Sequence, residues 1–150
     1  MNAIELLCRQ HADLVGLMRD RAHDPRALDL TLRVYLDLEH EHFFPLLELH
    51  AHDELLDGIE ELVDRTFLAH EELEEVLVEH MACALDDPEL SSILNELLSV
   101  AIQHFADQQQ DLYPLLCGYI PAEVFDELGV RMLARLERGS SAALSQSPEA

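Results

Sequence analysis

Apolar residues recur along this chain at intervals of three and four positions, and the alternation of apolar and polar residues that is typical of β-strands is missing. Such spacing places the apolar residues of each segment on one face of an α-helix. Proline residues and polar pairs such as Asp86-Asp87 divide the pattern. The sequence therefore predicts an all-α protein with five helices, at about residues 3–21, 25–50, 53–85, 88–118 and 121–139.

Four of these predicted helices are long and amphipathic, and short connections join them. This combination favours an up-down-up-down antiparallel four-helix bundle, followed by a short C-terminal fifth helix. Beyond Gly139 the sequence offers no face that could be buried. We therefore expect a helical-bundle domain of residues 1–138 and a disordered tail of residues 139–150.

A near-duplicated phrase runs through the second and fourth predicted helices, and each copy ends in an aromatic residue followed by Pro-Leu-Leu. Counting back from the two prolines aligns three pairs of residues that can bind a metal: Tyr35 with His104, Glu39 with Gln108, and His42 with Asp111. Steps of four and then three residues keep these side chains on one helical face. That face is otherwise apolar, so a bound metal would compensate the cost of burying polar groups there.

The other two long helices add candidates on their inward faces, namely His11 on the first and His70 and Glu74 on the third. Facing helices of a bundle commonly build a metal site from such side chains. The remaining histidines are expected at helix ends, on polar faces or off the metal-binding stripe, and not as ligands; they are His23, His40, His50, His52 and His80.

The charge of the chain narrows the range of partners. It has 31 Asp and Glu residues against nine basic residues, a formal net charge of −22, so nucleic acid and anionic membrane surfaces would repel it. No stretch is long and uncharged enough to predict a membrane span or a signal peptide. The three cysteines lie in apolar stretches, which is typical of reduced core thiols, and we expect a cytoplasmic protein.

These residues, in this order and spacing, resemble the hemerythrin-like HHE cation-binding family over about residues 3–138. The resemblance implies a helical bundle that holds a non-heme di-iron centre bridged by two carboxylates. It also implies dioxygen binding, sensing, or redox and peroxide chemistry. Carried over by position, the implied ligands are His11, Glu39, His70 and His104.

Two positions depart from the family pattern: Tyr35 stands in place of a histidine and Gln108 in place of a bridging glutamate. A neutral amide cannot offset the repulsion between two cations as a carboxylate does. Tyr35 could be a phenolate ligand or a neutral core residue. One hypothesis is a site displaced by one helical turn, about 5 Å, with His42 and Asp111 as ligands; the other is that these two residues bond to each other across the bundle.

The sequence thus predicts a hemerythrin-like protein with two iron ions in an altered ligand set, which binds or reacts with dioxygen or peroxide in sensing, iron handling or redox defence. Manganese and zinc also suit nitrogen and oxygen donors. Peroxide-consuming or oxidase-like activity at the iron is one form of this hypothesis, and both a monomer and a homodimer are compatible with it. The alternative is a degenerate bundle that serves as a metal-free interaction or regulatory module.

Overall fold

The structure, a computed structural model, describes residues 1–20 and 24–145, with side chains as far as residue 138. This part of the chain is all-helical and contains no strand, which confirms the predicted class and the five helices. Helix α1 is Ala3–Arg19, α3 is Ile59–Ala82 and α5 is Ala122–Ser145. Helices α2 (residues 25–50) and α4 (residues 90–117) each consist of three consecutive segments: Pro25–Leu38, Glu39–Phe43 and Phe44–His50, and Leu90–Asp107, Gln108–Leu112 and Tyr113–Cys117.

The helix starts follow from local chemistry. The Asn2 side chain accepts a hydrogen bond from the Glu5 N–H at 2.9 Å and caps α1. Asp24 caps α2 in the same way, with Pro25 at the first position, where no amide is needed. Helix α3 begins at Ile59 and not near residue 53 as predicted, because Gly58 immediately before it has a left-handed φ of 79°.

Four helices enclose a common apolar core. Helix α1 packs against α2 and α4, and α3 also packs against α2 and α4. Each of the four contributes side chains with no exposed surface, including Leu14, Leu32, Leu73 and Leu97. The antiparallel up-down-up-down order stays a prediction.

Helix α5 covers the outside of α1 and α2 and is longer than predicted. It approaches the N-terminus so closely that a Cβ at Gly129 would lie 2.6 Å from the Met1 carbonyl oxygen. The helix continues to Ser145, past the end predicted at Gly139, since extending a formed helix costs far less than starting one. Residues 146–150 of the predicted tail lie outside the described residues, and the boundary at residue 138 stays a prediction.

Two further sequence expectations concern membranes and cysteines. Among residues 1–20 and 24–145, no helix combines the length and the apolar character that crossing a membrane requires. All three cysteines are free thiols. Cys8 and Cys83 are partly buried, but Cys117 is exposed, so the prediction that it lies in the core was wrong.

Candidate metal centre

The repeated phrase of the sequence is also a repeat in the structure. In α2 the Phe44 N–H donates to the carbonyl of Glu39, five residues back, and in α4 the Tyr113 N–H donates to the carbonyl of Gln108. Both wide turns are therefore π-helical, and a proline follows each of them at position 45 or 114. A proline has no N–H and its ring collides with the carbonyl four residues back, so it disfavours a regular α-helical turn at this point.

The π-turns change which residues face the core. An α-helix rotates by about 100° per residue, so an extra residue in one turn shifts the following side chains by about that angle. Glu39 and Phe43 both face inward, and Gln108 and Leu112 do so in α4. The residues three positions after Glu39 and Gln108 are turned away from this face.

Glu39 lies at the centre of a buried polar cluster that α2, α3 and α4 form together. Its Oε1 is 3.1 Å from Nδ1 of His70 and 3.0 Å from Nε2 of His104. Its Oε2 accepts a hydrogen bond from Nε2 of Gln108 at 2.5 Å. None of these four side chains has appreciable exposed surface. The ligand atoms of Glu39, His70 and His104 lie within 4.8 Å of one another, close enough to hold one metal ion.

The electrostatics of the cluster favour an ionised carboxylate. Burial alone would raise the pKa of Glu39, but the charge and hydrogen bond of His104 and the hydrogen bond of His70 hold this pKa well below its usual range. Burial would lower the pKa of His70, whereas hydrogen bonding to Glu39 and the charges of Glu39 and Glu74 raise it above its usual value. A carboxylate must be deprotonated to bind a metal, so Glu39 is already in its binding form.

Glu74 lies on the outer side of His70. One of its carboxylate oxygens is 2.6 Å from Nε2 of His70, but out of line for a hydrogen bond, so this buried nitrogen has no hydrogen-bond partner. A metal-bound histidine commonly contacts a carboxylate through its second ring nitrogen. Glu74 thus lies beside the candidate ligand His70 and is not one of the groups next to Oε1 of Glu39.

His11 and Tyr35 belong to a second set of hydrogen bonds, which shares Gln108 with the Glu39 cluster. We call it the Gln108 network, and it comprises His11, Tyr35, Gln108, Gln109 and Tyr113. Nε2 of His11 is 2.8 Å from the Tyr35 hydroxyl, and Nδ1 of His11 is 2.9 Å from Nε2 of Gln109. The hydroxyls of Tyr35 and Tyr113 both donate to Oε1 of Gln108, at 3.3 and 3.2 Å. Burial lowers the pKa of His11 to about 3, so its ring is neutral.

The structure does not bring His42 or Asp111 to the cluster. Asp111 is exposed and pairs with Arg65 at 3.4 Å, and Nε2 of His42 lies 3.9 Å from a carboxylate oxygen of Glu41. The two residues do not bond to each other either, so neither sequence hypothesis about them describes this geometry. The physical reason is the π-turn, which rotates both positions off the inward stripe that regular α-helical spacing predicted.

Sequence reasoning missed a buried histidine at the other end of the bundle. His80 has no exposed surface, and its Nδ1 bonds to Asp29, which also pairs with Arg26 at 2.8 Å. The sequence held no local signal for this contact, because Arg26 and Asp29, three residues apart on α2, have the spacing of an ordinary surface ion pair. His23, which was also discounted as a ligand, lies outside the described residues.

Buried aromatic residues pack around the cluster. Phe43, Phe44, Phe105 and Tyr113 are all buried. The ring of Phe44 lies 4.7 Å from that of His70, measured between centroids, and the ring of His11 stacks on that of Phe105 at 4.0 Å. These rings form apolar walls around the polar cluster.

No protein-family model and no curated protein matches this sequence. Among solved structures, the chain is similar to a hemerythrin HHE cation-binding domain-containing protein from Mycobacterium kansasii. The two share 22% sequence identity with a TM-score of 0.75, over 97% of this chain and 91% of that one. This chain therefore has the helical fold of a hemerythrin HHE cation-binding domain.

Proposed function

We propose that this chain is a hemerythrin-like protein that holds non-heme iron at Glu39, His70 and His104 and that binds or reacts with dioxygen or peroxide. The observation that carries the proposal is a fully buried carboxyl group with two imidazole nitrogens beside one of its oxygens. Two histidines and one carboxylate with open positions are a typical donor set of non-heme ferrous iron, and the absence of thiolate from the cluster disfavours copper(I). Manganese and zinc are the alternative metals.

The residues of the cluster would hold and shield the ion. Glu39 would offset part of its charge in an apolar interior, where an uncompensated charge is costly. Phe44 limits the movement of the His70 ring and excludes water from one side. Bound iron would supply redox and Lewis-acid chemistry. The role would lie in sensing, iron handling or redox defence, in a cytoplasmic monomer or homodimer with an antiparallel up-down-up-down bundle.

Glu39→Ala tests this proposal. We expect the variant, purified from cells grown with added iron, to lose most of the metal that the wild type retains, because the only carboxylate of the cluster is gone. Glu41→Ala is the matched control, since Glu41 is a half-exposed glutamate two residues away, and it should retain the metal. Stoichiometric metal in folded Glu39→Ala protein would contradict the proposal.

The second candidate function is a metal-free interaction or regulatory module. One observation favours it: both oxygens of Glu39 already have partners within the protein, in His70, His104 and Gln108. Metal analysis separates the two candidates. If wild-type protein grown with iron contains no metal, or loses all of it to a modest concentration of chelator, the metal-free function is favoured.

A further inference from the structure

We infer that the centre takes one metal ion per chain, and that Gln108 is the positioning residue that restricts it to one. This inference rests on the proposed function and replaces the expectation of two irons. It depends on how Gln108 is oriented, on whether its neighbours have free ligand atoms, and on how the two oxygens of Glu39 are used.

The chemistry of its neighbours determines the orientation of the Gln108 amide. Its Nε2 lies 2.5 Å from Oε2 of the Glu39 carboxylate, and a carboxylate oxygen only accepts hydrogen bonds. The opposite orientation would place two oxygens at that distance with no hydrogen between them. Oε1 of Gln108 therefore points the other way, where it accepts hydrogen bonds from Tyr35 and Tyr113.

This orientation fixes the hydrogens in the rest of the Gln108 network. The single hydroxyl hydrogen of Tyr35 is donated to Gln108, so Tyr35 must accept the hydrogen on Nε2 of His11. Nδ1 of neutral His11 then accepts from Gln109. In this series of hydrogen bonds every donor faces an acceptor. None of these side chains is among the described buried groups that lack a partner. The polar side-chain atoms of His11, Tyr35 and Gln108 are therefore all engaged in hydrogen bonds within the protein.

The two oxygens of Glu39 have their shortest contacts with different side chains. Oε1 is the oxygen nearest to both His70 and His104. Oε2 lies 3.3 Å from Nε2 of His104 and has its shortest contact with the Gln108 amide. A bridging carboxylate gives one oxygen to each of two cations. In this arrangement a neutral amide occupies the side on which the second cation would bind.

The charges of the surrounding residues also favour one metal ion over two. The Gln108 network contains no negative group, because the hydroxyls of Tyr35 and Tyr113 keep their hydrogens, which they donate to Oε1 of Gln108. A second divalent ion placed beside this network would share the single negative charge of Glu39 with the first ion. Such a pair of buried cations is poorly compensated.

The test is the iron-to-protein ratio of the full wild-type chain after anaerobic loading with ferrous iron and removal of loosely bound metal. We expect one iron per chain and, after oxidation, the electron paramagnetic resonance signal of an isolated ferric ion. Two irons per chain, as a spin-coupled pair, would overturn this inference and leave the proposed function intact. A ratio near zero in folded protein would overturn the proposed function itself.

Gln108→Glu tests the role of Gln108 directly. A carboxylate there would face Glu39 and provide the missing charge, so the iron-to-protein ratio should rise from one to two. Gln110→Glu makes the same chemical change at an exposed position two residues away and should leave the ratio at one. A ratio of one in folded Gln108→Glu protein would show that Gln108 does not set the number of ions. If this variant does not fold, the wild-type ratio and spectrum remain decisive.

Discussion

At the scale of single residues, the Tyr35 hydroxyl is the group on which the Gln108 network depends most, because it lies between His11 and Gln108. Tyr35 has no exposed surface. Its side chain occupies a position at which the family resemblance implied a histidine ligand. As a neutral phenol it both accepts and donates a hydrogen bond, and both of these bonds are made without metal.

We predict that Tyr35→Phe destabilises the protein by about 1–3 kcal/mol, the usual cost of leaving a buried polar group without its partner, here Nε2 of His11. Its iron content should not change. Urea unfolding and metal analysis measure the two effects. Tyr113→Phe is the control: Gln108 keeps a donor in that variant, so a cost of only about 0.5–1.5 kcal/mol is expected. Loss of iron in Tyr35→Phe but not in Tyr113→Phe would make Tyr35 a ligand.

At the scale of helices, buried polar contacts join α2 to α3 at two levels. One is the contact of Glu39 with His70, and the other is the set formed by Arg26, Asp29 and His80. The Arg26 guanidinium also donates to the carbonyls of His80 and Cys83 at the end of α3, at 3.1 and 2.5 Å. Asp29 thus holds together two groups that would otherwise lack a counter-charge or a hydrogen-bond partner.

We predict that Asp29→Ala lowers the free energy of unfolding by about 1–3 kcal/mol, the usual cost of leaving a buried polar group without its partner, here Nδ1 of His80. Asp37→Ala removes a more exposed carboxylate of the same helix, which pairs with Arg135 at 3.5 Å. It should cost about 0–1 kcal/mol. Urea denaturation of both variants measures the difference. Equal effects would mean that the Asp29 contacts contribute no more than a surface pair.

At the scale of the whole molecule, the candidate ligands come from three different helices: Glu39 from α2, His70 from α3 and His104 from α4. A metal held by all three binds only the folded chain. Its binding free energy therefore adds to the stability of the bundle as a whole.

We predict that removing the metal with a chelator lowers the melting temperature. At a free metal concentration 100 times the dissociation constant, linkage contributes about 2.7 kcal/mol, which for a chain of this length corresponds to roughly 5–10 °C. Calorimetry of loaded and chelated protein measures the shift. Glu39→Ala protein should melt at the same temperature with and without chelator. Identical melting of loaded and chelated wild type would argue against a metal that joins the helices.

The sequence by itself determined the all-α class, the five helices and the buried positions of His11, Tyr35, Glu39, His70 and His104. These features depend on helical periodicity and on capping residues, which act over a few neighbouring positions. The tertiary structure decided which atoms meet. Two π-turns rotated His42 and Asp111 away from the core, and contacts between helices oriented Gln108 and buried His80. A local sequence pattern cannot show these outcomes. A single extra residue in one helical turn rotates all the side chains that follow it, and the direction of a hydrogen bond depends on partners from other helices.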